Sequence, residues 1–470
     1  MKSNPLKTVS VLLCFCSVSV LAVAQNISVK VNFNNAPDSA STRFTDLKYN
    51  KESVFSLDID DQPVNVMSIL AYFQGGVAPE DGISYPGKYF TDGCGVKRPF
   101  AAGIAMTAHS NYNDNDLTTA SHLLSVDQLK KLVKAGFGLQ NHGFYHEKDG
   151  YYITNKFNEA KNIAEGTNFI FEKTGFLPRI WTTPSNHTGY NTYVEEQGYL
   201  AATSQGVTDG YTSQPVNMWT DHLADLSQFS PSFNVFLRDF NDDWNNTAKT
   251  DELKLRVTGL KNKSSATAHK VYRIGTHSYN ANNWNGFKSF IDHIESVSNN
   301  TIWVASLQEV LEFLEVKRNV IKTESLSQNV LTINLDLSNV SASNYFRDMT
   351  LKVDGGKVSS VEVTGADSFS FNADGLINIY KKNANVSPVP KANKLIVNAG
   401  TDVITTLPVD TVLFKGTVTG TDSIASYQWT KVSGGAATIT SPSSASTTIT
   451  GLVQGSYVFR LTVTDNGGAT

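Results

Sequence analysis

Hydrophobic spacing divides the chain into three regimes. Between residues 45 and 318, short apolar runs alternate with stretches whose apolar positions recur at helical period, the pattern of an α/β domain. Runs at 54–59, 100–106, 138–140, 179–182, 200–203, 271–275 and 302–305 predict strands. Stretches at 126–135, 158–173 and 307–313 predict helices between them. From 319 to 386 the helical period stops and alternation takes over, as at Leu331, Ile333 and Leu335, which predicts a small β-sandwich. Pro388 and Pro390 mark a stiff linker over 387–393, because each proline fixes its own φ and biases the residue before it. A second all-β module is expected over 394–470. The α/β domain then takes 25–318 and a leader takes 1–24.

The leader is read from its pattern. Lys2 and Lys7 precede an apolar run over 9–23, and Ala22-Val23-Ala24 supplies small residues before Gln25, the form of a signal peptide. The expected destination is outside the cytoplasm: secreted, periplasmic or on the cell surface. Cys14 and Cys16 follow Leu13 and Phe15 rather than a small residue, so no lipid anchor is expected. No other stretch is apolar enough for a transmembrane segment. Cys94 remains as the single cysteine outside the leader, so packing rather than disulfides must hold the fold. Composition changes the picture little. With 39 basic against 43 acidic residues, a net charge of −4 and no basic block, nucleic acid and anionic membranes are poor partners. Eighteen Tyr, 25 Phe and 6 Trp suit sugar stacking and ordinary sheet cores equally.

Candidate chemistry begins where the 54–59 strand runs into acid. Asp60 and Asp61 fall at its C-terminal end, where α/β enzymes place their sites, and neighbouring residues there point apart. A lone Asp-Asp pair is more often a solvated turn. After the predicted strand at 138–140 come His142 and His146, four apart and on one face if the segment is helical. Paired imidazoles need one carboxylate to make a three-ligand catalytic metal set, and Asp61 is the available third ligand. Taken alone, H-x-x-x-H is as readily a chance surface pair.

Taken together, these residues resemble a polysaccharide deacetylase of the NodB-homology type, a carbohydrate esterase family with a distorted (β/α) barrel. Leu57-Asp58-Ile59-Asp60-Asp61 resembles its T-F-D-D-G motif, and Asn141-His142-Gly143-Phe144-Tyr145-His146 its N-H-[ST]-x-x-H motif. Pro178 to Pro184 resembles the arginine–proline motif, Ile274-Gly275-Thr276-His277 falls at L-x-H, and 302–310 resembles the closing strand and helix. The resemblance covers about 48–316 and implies a distorted barrel followed by two all-β modules. It further implies Asp60 as base, His277 as acid, and a divalent ion on Asp61, His142 and His146. Mixed nitrogen and oxygen ligands favour zinc, with cobalt or nickel as substitutes. Arg179 would hold Asp60 ionised. Trp181 and Pro184 would wall the site, and the backbone at Ser185 or Asn186 would face the oxyanion.

The departures from the pattern are specific. Gln62 replaces the usual glycine, and Gly143 replaces a hydroxyl residue. Gly275 stands where the acetate-pocket leucine belongs, with Ile274 able to move in. The D-x-x-D-W motif has no clean copy. Phe240-Asn241-Asp242-Asp243-Trp244 is the nearest string, beside an insertion over 205–250. His109, His122, His187, His222, His269 and His293 have no partner motif and are expected to be incidental.

The implied activity is removal of acetyl groups from an acetylated polysaccharide, N-acetyl first, with an O-acetyl esterase as a variant. A glycan-binding protein on a decayed barrel is the alternative from another class. The last module resembles a PKD-type immunoglobulin-like domain, from Ser426-Tyr427-Gln428-Trp429 and the run from Tyr457 to Asp465. Trp429 would be its core residue with Tyr457 packed near it. Such a module would act as spacer or weak glycan contact, and because its sandwich should close with a further strand, either a chain continuing past Thr470 or a module frayed there is expected.

Overall fold

The computed structural model describes residues 26–111, 114–146, 159–186, 190–204, 223–230, 232–261, 270–277, 283–386, 396–419 and 424–465. The expected leader over 1–24 and the linker over 387–393 lie outside them. Two compact units divide the chain, 1–388 and 389–470.

Eight strands of the first unit carry the α/β pattern: β1 (Ser53–Ile59), β2 (Gly103–Met106), β3 (Gly138–Asn141), β4 (Ile180–Thr182), β5 (Ala201–Ser204), β6 (Asn234–Leu237), β7 (Lys270–Thr276) and β8 (Ile302–Val304). Helices lie between them: α1 (Val66–Gln74), α2 (Val126–Lys134), α3 (Glu159–Thr174), α4 (Asn191–Glu196), α5 (Thr247–Lys261), α6 (Trp284–Ser298) and α7 (Leu307–Asn319). All seven expected strands form, most within a residue of the expected bounds. The strand expected over 100–106 begins at Gly103 instead.

The barrel strands run β7-β1-β2-β3-β4-β5-β6 in parallel pairs, and Leu223–Asp225 adds an antiparallel edge to β7. It closes through a step. β6 pairs with β5, and the two residues Asp239–Phe240 just beyond it pair in parallel with β7. β8 joins the lower end of β1 at Ser53–Phe55, while β2 joins its upper end at Asp58 and Ile59. A ring in which strands share edges this way is a distorted barrel, the expected fold class.

The barrel interior is polar. Asp58 accepts from Gln140 Nε2 at 2.6 Å and from Arg273, and Thr182 Oγ1 donates to Gln140 Oε1. Two glycines make the room. A Cβ at Gly103 would come within 2.1 Å of Gln140 Nε2, and one at Gly275 within 2.8 Å of the Arg238 guanidinium. The apolar residues of the same strands, among them Val54, Phe55, Leu57, Ile104 and Leu139, are fully buried in one core cluster. This explains the nearly unbroken apolar runs, since strands covered by helices have no solvent face.

A sandwich packs beside the barrel, and its composition corrects the expected boundary. Asn26–Phe33 is the inner strand between Val330–Asp336 and Val358–Thr364, and Ser41–Phe44 pairs with Met349–Asp354. Residues 26–44 therefore belong with 321–380, although they precede the barrel in sequence. Their inward residues Val29 and Val31 share a buried cluster with Ile333, Leu335, Leu351 and Ile377. Strand order is a property of pairing, not of the sequence neighbourhood, so the 25–318 boundary misplaced this strand.

In the second unit Ile424–Ser433 pairs antiparallel with Val458–Asp465. Trp429 is buried there as expected, with its indole N–H donating to Ser444 O at 3.0 Å. The ring stacked on it is Phe414, at 5.7 Å; Tyr457 stacks on Phe459 instead and bonds Val453.

Candidate active site

β1 ends with Asp60 buried and Asp61 half-exposed, and the backbone explains the split. Asp58 and Asp60 share the inward parity of β1. At Asp61 φ turns to 63° and at Gln62 to 37°, which swings the second carboxylate out of the strand's path onto the rim. A glycine would take that conformation without strain. Gln62 takes it because its buried amide is bound twice, donating to Thr107 O at 2.7 Å and accepting from Thr107 N at 2.8 Å. The departure at Gln62 thus ties β1 to the end of β2.

The two histidines are not on a helix. β3 delivers His142, and a loop turning at Gly143 (φ 104°) brings His146 back, so that the rings lie 4.8 Å apart. Gly143 is required there, since a Cβ would meet Tyr145 O at 2.4 Å. Asn141 anchors the turn by accepting from Gly143 N at 2.8 Å and donating to Tyr199 Oη at 2.8 Å. His142 Nδ1 lies 2.7 Å from Thr182 O. A carbonyl only accepts, so Nδ1 carries the hydrogen and Nε2 offers a lone pair. Burial, then the neighbouring His146, pushes His142 down to about 4, which keeps that lone pair free at neutral pH.

His142 Nε2 and His146 Nε2 lie 3.6 and 3.5 Å from Asp61 Oδ1. Two donors about 2.1 Å from one ion at a tetrahedral angle stand about 3.4 Å apart, so the spacing fits a divalent metal. Among the described residues these three are the group whose donor atoms converge in this way.

His277 stands opposite, half-exposed, with Nε2 3.9 Å from Asp61 Oδ2. Its Nδ1 and backbone N each lie 2.8 Å from Asp242, and that bond raises its proton affinity above the usual imidazole range. Asp242 is held below the ordinary carboxylate range, its burial outweighed by the same bond. Trp244 fixes the 240–244 string by donating to Thr276 Oγ1 at 3.3 Å and packing on Phe287 and Phe290. Gly286 makes that packing possible, because a Cβ there would come within 2.0 Å of Trp244 O. The string with no clean motif match therefore supplies the orienting carboxylate.

Several expectations fail here. Arg179 does not reach Asp60. It stands before β4, at the other end of the barrel, bound to Glu315 at 2.6 Å and to Asn344. The partner of Asp60 is Arg238, which donates to Oδ1 at 2.8 Å and also to Oδ2. Arg238 sits at the step between β6 and Asp239–Phe240, where the ring changes partners and its side chain turns inward. Burial alone would push Asp60 up, but Arg238 outweighs it and holds the carboxyl below its ordinary range.

Ile274 does not enter the site. It points outward into the core, and the space beside Gly275 is filled by Arg238 and by Phe240, whose ring lies 4.8 Å from His277. Trp181 is also a core residue, packed on Tyr190 at 4.9 Å among Ile163 and Val194. Outward parity on strands whose helix-covered side is apolar decides both. Pro184, Ser185 and Asn186 form a 3₁₀ turn just after β4, with Ser185 at φ 47°. His187, His222 and His269 lie outside the described residues. His293 bonds Thr258 and Lys254 on the helical layer. His109 lines the cavity beside Asp61 and His146, which no motif indicated.

The fold of the first unit is a distorted (β/α) barrel, and one rim brings together the Asp61–His142–His146 cluster, the buried Asp60–Arg238 pair and the His277–Asp242 pair. Comparison with known proteins adds the following. Residues 399–470 match a PKD domain family. The PKD domain of the KIAA 1837 protein is 37% identical over 16% of this chain and 74% of its own, with a TM-score of 0.15. A Mycobacterium smegmatis protein assigned as a polysaccharide deacetylase is 14% identical over 63% of this chain and 99% of its own, with a TM-score of 0.34. The chitin deacetylase of Colletotrichum lindemuthianum is 9% identical over 56% and 87%, with a TM-score of 0.29. The search of curated proteins found no match. No helix of the described residues is long and apolar enough to cross a membrane.

Proposed function

We propose that the barrel is a metal-dependent deacetylase that hydrolyses acetyl groups of a polysaccharide, N-acetyl groups first, in a protein exported through its leader. The carrying observation is the meeting at one rim of Asp61, His142 and His146 with Asp60–Arg238 on one side and His277–Asp242 on the other. A divalent ion held by the three would supply a Lewis acid for water and for the acetyl carbonyl. Asp60, kept ionised by Arg238, accepts a proton from the attacking water. The Nδ1–H bond to Asp242 raises the proton affinity of His277, so the ring takes its second proton at Nε2 and delivers it to the departing amine nitrogen. An amide leaves poorly without that proton. Phe240 offers the methyl group the apolar wall that Gly275 does not.

The test is acetate release from chitin oligomers, peptidoglycan, an exopolysaccharide and acetylxylan, with and without added zinc. Zinc content is measured alongside for His142→Ala and His146→Ala. Both variants should lose metal and turnover together, since two ligands rarely keep such an ion. If either still binds one equivalent tightly, the ligand assignment is wrong. If the parent holds zinc and releases acetate from none, the glycan-binding reading takes its place.

A further inference from the structure

The cavity beside the Asp–His–His cluster has a wall that the proposed chemistry leaves unused. It is an open cavity of about 270 Å³ lined by Asp61 and His146 together with His109, Leu117 and Leu123. That is the small end of ligand pockets, room for one ring rather than a chain.

His109 lines this space, and its contacts account for one ring nitrogen and one ring face. Nδ1 lies 2.8 Å from Asp114 O and 3.1 Å from Asp114 Oδ1. The carbonyl can only accept, so Nδ1 carries the hydrogen and Nε2 of the neutral ring keeps the lone pair. One face stacks on Phe144 with centroids 4.3 Å apart, and Phe169 stands edge-on at 5.5 Å. With Nδ1 and that face engaged, the edge bearing Nε2 is what the ring can offer a ligand.

The support around it is hydrogen-bonded to both neighbouring segments. Tyr145 Oη donates to Asp114 Oδ1 at 2.6 Å, and Asp114 turns the chain at φ 57°, a conformation aspartate tolerates. Asn111 Oδ1 accepts from His146 N at 2.9 Å, which ties this loop to the metal-ligand segment. Gln62 ties it to the end of β1 through Thr107. A polar edge held by an orienting carboxylate, at a cavity shared with two candidate metal ligands, is a preorganised acceptor.

We infer that His109 is a substrate-binding residue, and that this cavity takes one sugar ring of the polysaccharide next to the reacting acetyl group. Nε2 accepts from a ring hydroxyl or amide N–H, and half-buried Leu117 and Leu123 take the C–H face of the sugar. The inference rests on the deacetylase reading for its substrate class, and the test separates the two.

His109→Phe keeps a ring to stack on Phe144 but removes the polar edge, whereas His109→Gln keeps a polar group near the place of Nε2. With N-acetylchitopentaose, His109→Phe should raise KM about three- to tenfold, the worth of one hydrogen bond, with kcat within about twofold. Zinc content and hydrolysis of p-nitrophenyl acetate, which has no sugar to place, should match the parent. His109→Gln should recover part of the KM. Parental KM in His109→Phe, a better result for Phe than for Gln, or an equal loss on p-nitrophenyl acetate overturns the inference. Titration of the pentasaccharide into parent and variant, followed by NMR shifts, does not depend on turnover. Binding by the parent that weakens in His109→Phe, without acetate release, would sink the deacetylase reading and keep the sugar site. No binding by the parent at millimolar pentasaccharide overturns the sugar site.

Discussion

Replacing Arg238 with methionine removes the partner of Asp60 while keeping an apolar chain of similar length. In the parent the two side chains are 1% and 3% exposed and meet through both guanidinium branches, and Arg238 also stands 3.5 Å from Asp58. Breaking one side of a buried pair costs about 3–5 kcal/mol, because the remaining charge is stranded out of water. A domain with about 5–15 kcal/mol of stability survives that at 25 °C, so folded protein should still be obtained. Stranded in the interior, Asp60 takes up a proton rather than staying ionised, and general-base assistance worth about 10²–10⁴-fold is lost. Arg179→Met is the matched control. Its pair with Glu315 is also buried, with side chains 7% and 12% exposed, so a comparable stability loss is expected. Acetate release per folded molecule should nevertheless stay at the parent level, since no site residue touches Arg179. Urea titration followed by tryptophan fluorescence gives the stabilities, and acetate release with zinc content gives the rest. Full turnover in Arg238→Met, or loss of turnover per folded molecule in Arg179→Met, would refute the reasoning.

Three further outcomes are expected. Gly275→Leu, which restores the leucine of the family pattern, should inactivate rather than improve the protein. Its Cβ alone would fall within 2.8 Å of Arg238 and 2.7 Å of Phe240, and acetate release measures the result. Asp242→Asn should cut turnover on an N-acetyl substrate about 10²-fold while sparing p-nitrophenyl acetate, whose leaving group needs no proton from His277; equal losses on both would remove Asp242 from its orienting role. Glu312 is pushed up to about 8 by burial, against the pull of Arg179. Its folded proton affinity exceeds the unfolded one, so its contribution is complete below the ordinary carboxylate range and is lost as pH rises toward about 8. The loss amounts to about 1.4 kcal/mol per pH unit. Glu312→Gln should remove that slope from the urea midpoint between pH 5 and 8, and an unchanged slope would show that Glu312 is not the titrating group.

What could be read from the sequence was whatever is local in the chain. Apolar runs fixed the seven expected barrel strands, because a helix-covered strand must be apolar on its outward side wherever it stands in the ring. Asp60, Asp61, His142, His146 and His277 were legible because each follows its strand at the same end, and parallel pairing carries strand ends to one rim. The failures all concern which side chain meets which across the fold. Arg179 carries the right charge in the right motif, but it precedes β4 and therefore stands at the wrong end of the barrel. Arg238 lay in a stretch of weak pattern, since β6 ends and Asp239–Phe240 begins within two residues, and neither piece alone reads as a strand. Trp181 and Ile274 were misplaced by parity alone, which needs the register of the whole sheet. Gly275 looked like a defect until Phe240 and Arg238 were seen to fill the space it leaves. Asn26–Phe33 was assigned to the wrong layer because the partners that bury Val29 and Val31 lie about three hundred residues further along the chain. Burial, charge pairing and proton affinity depend on distances through space, and those come into being only when the ring closes.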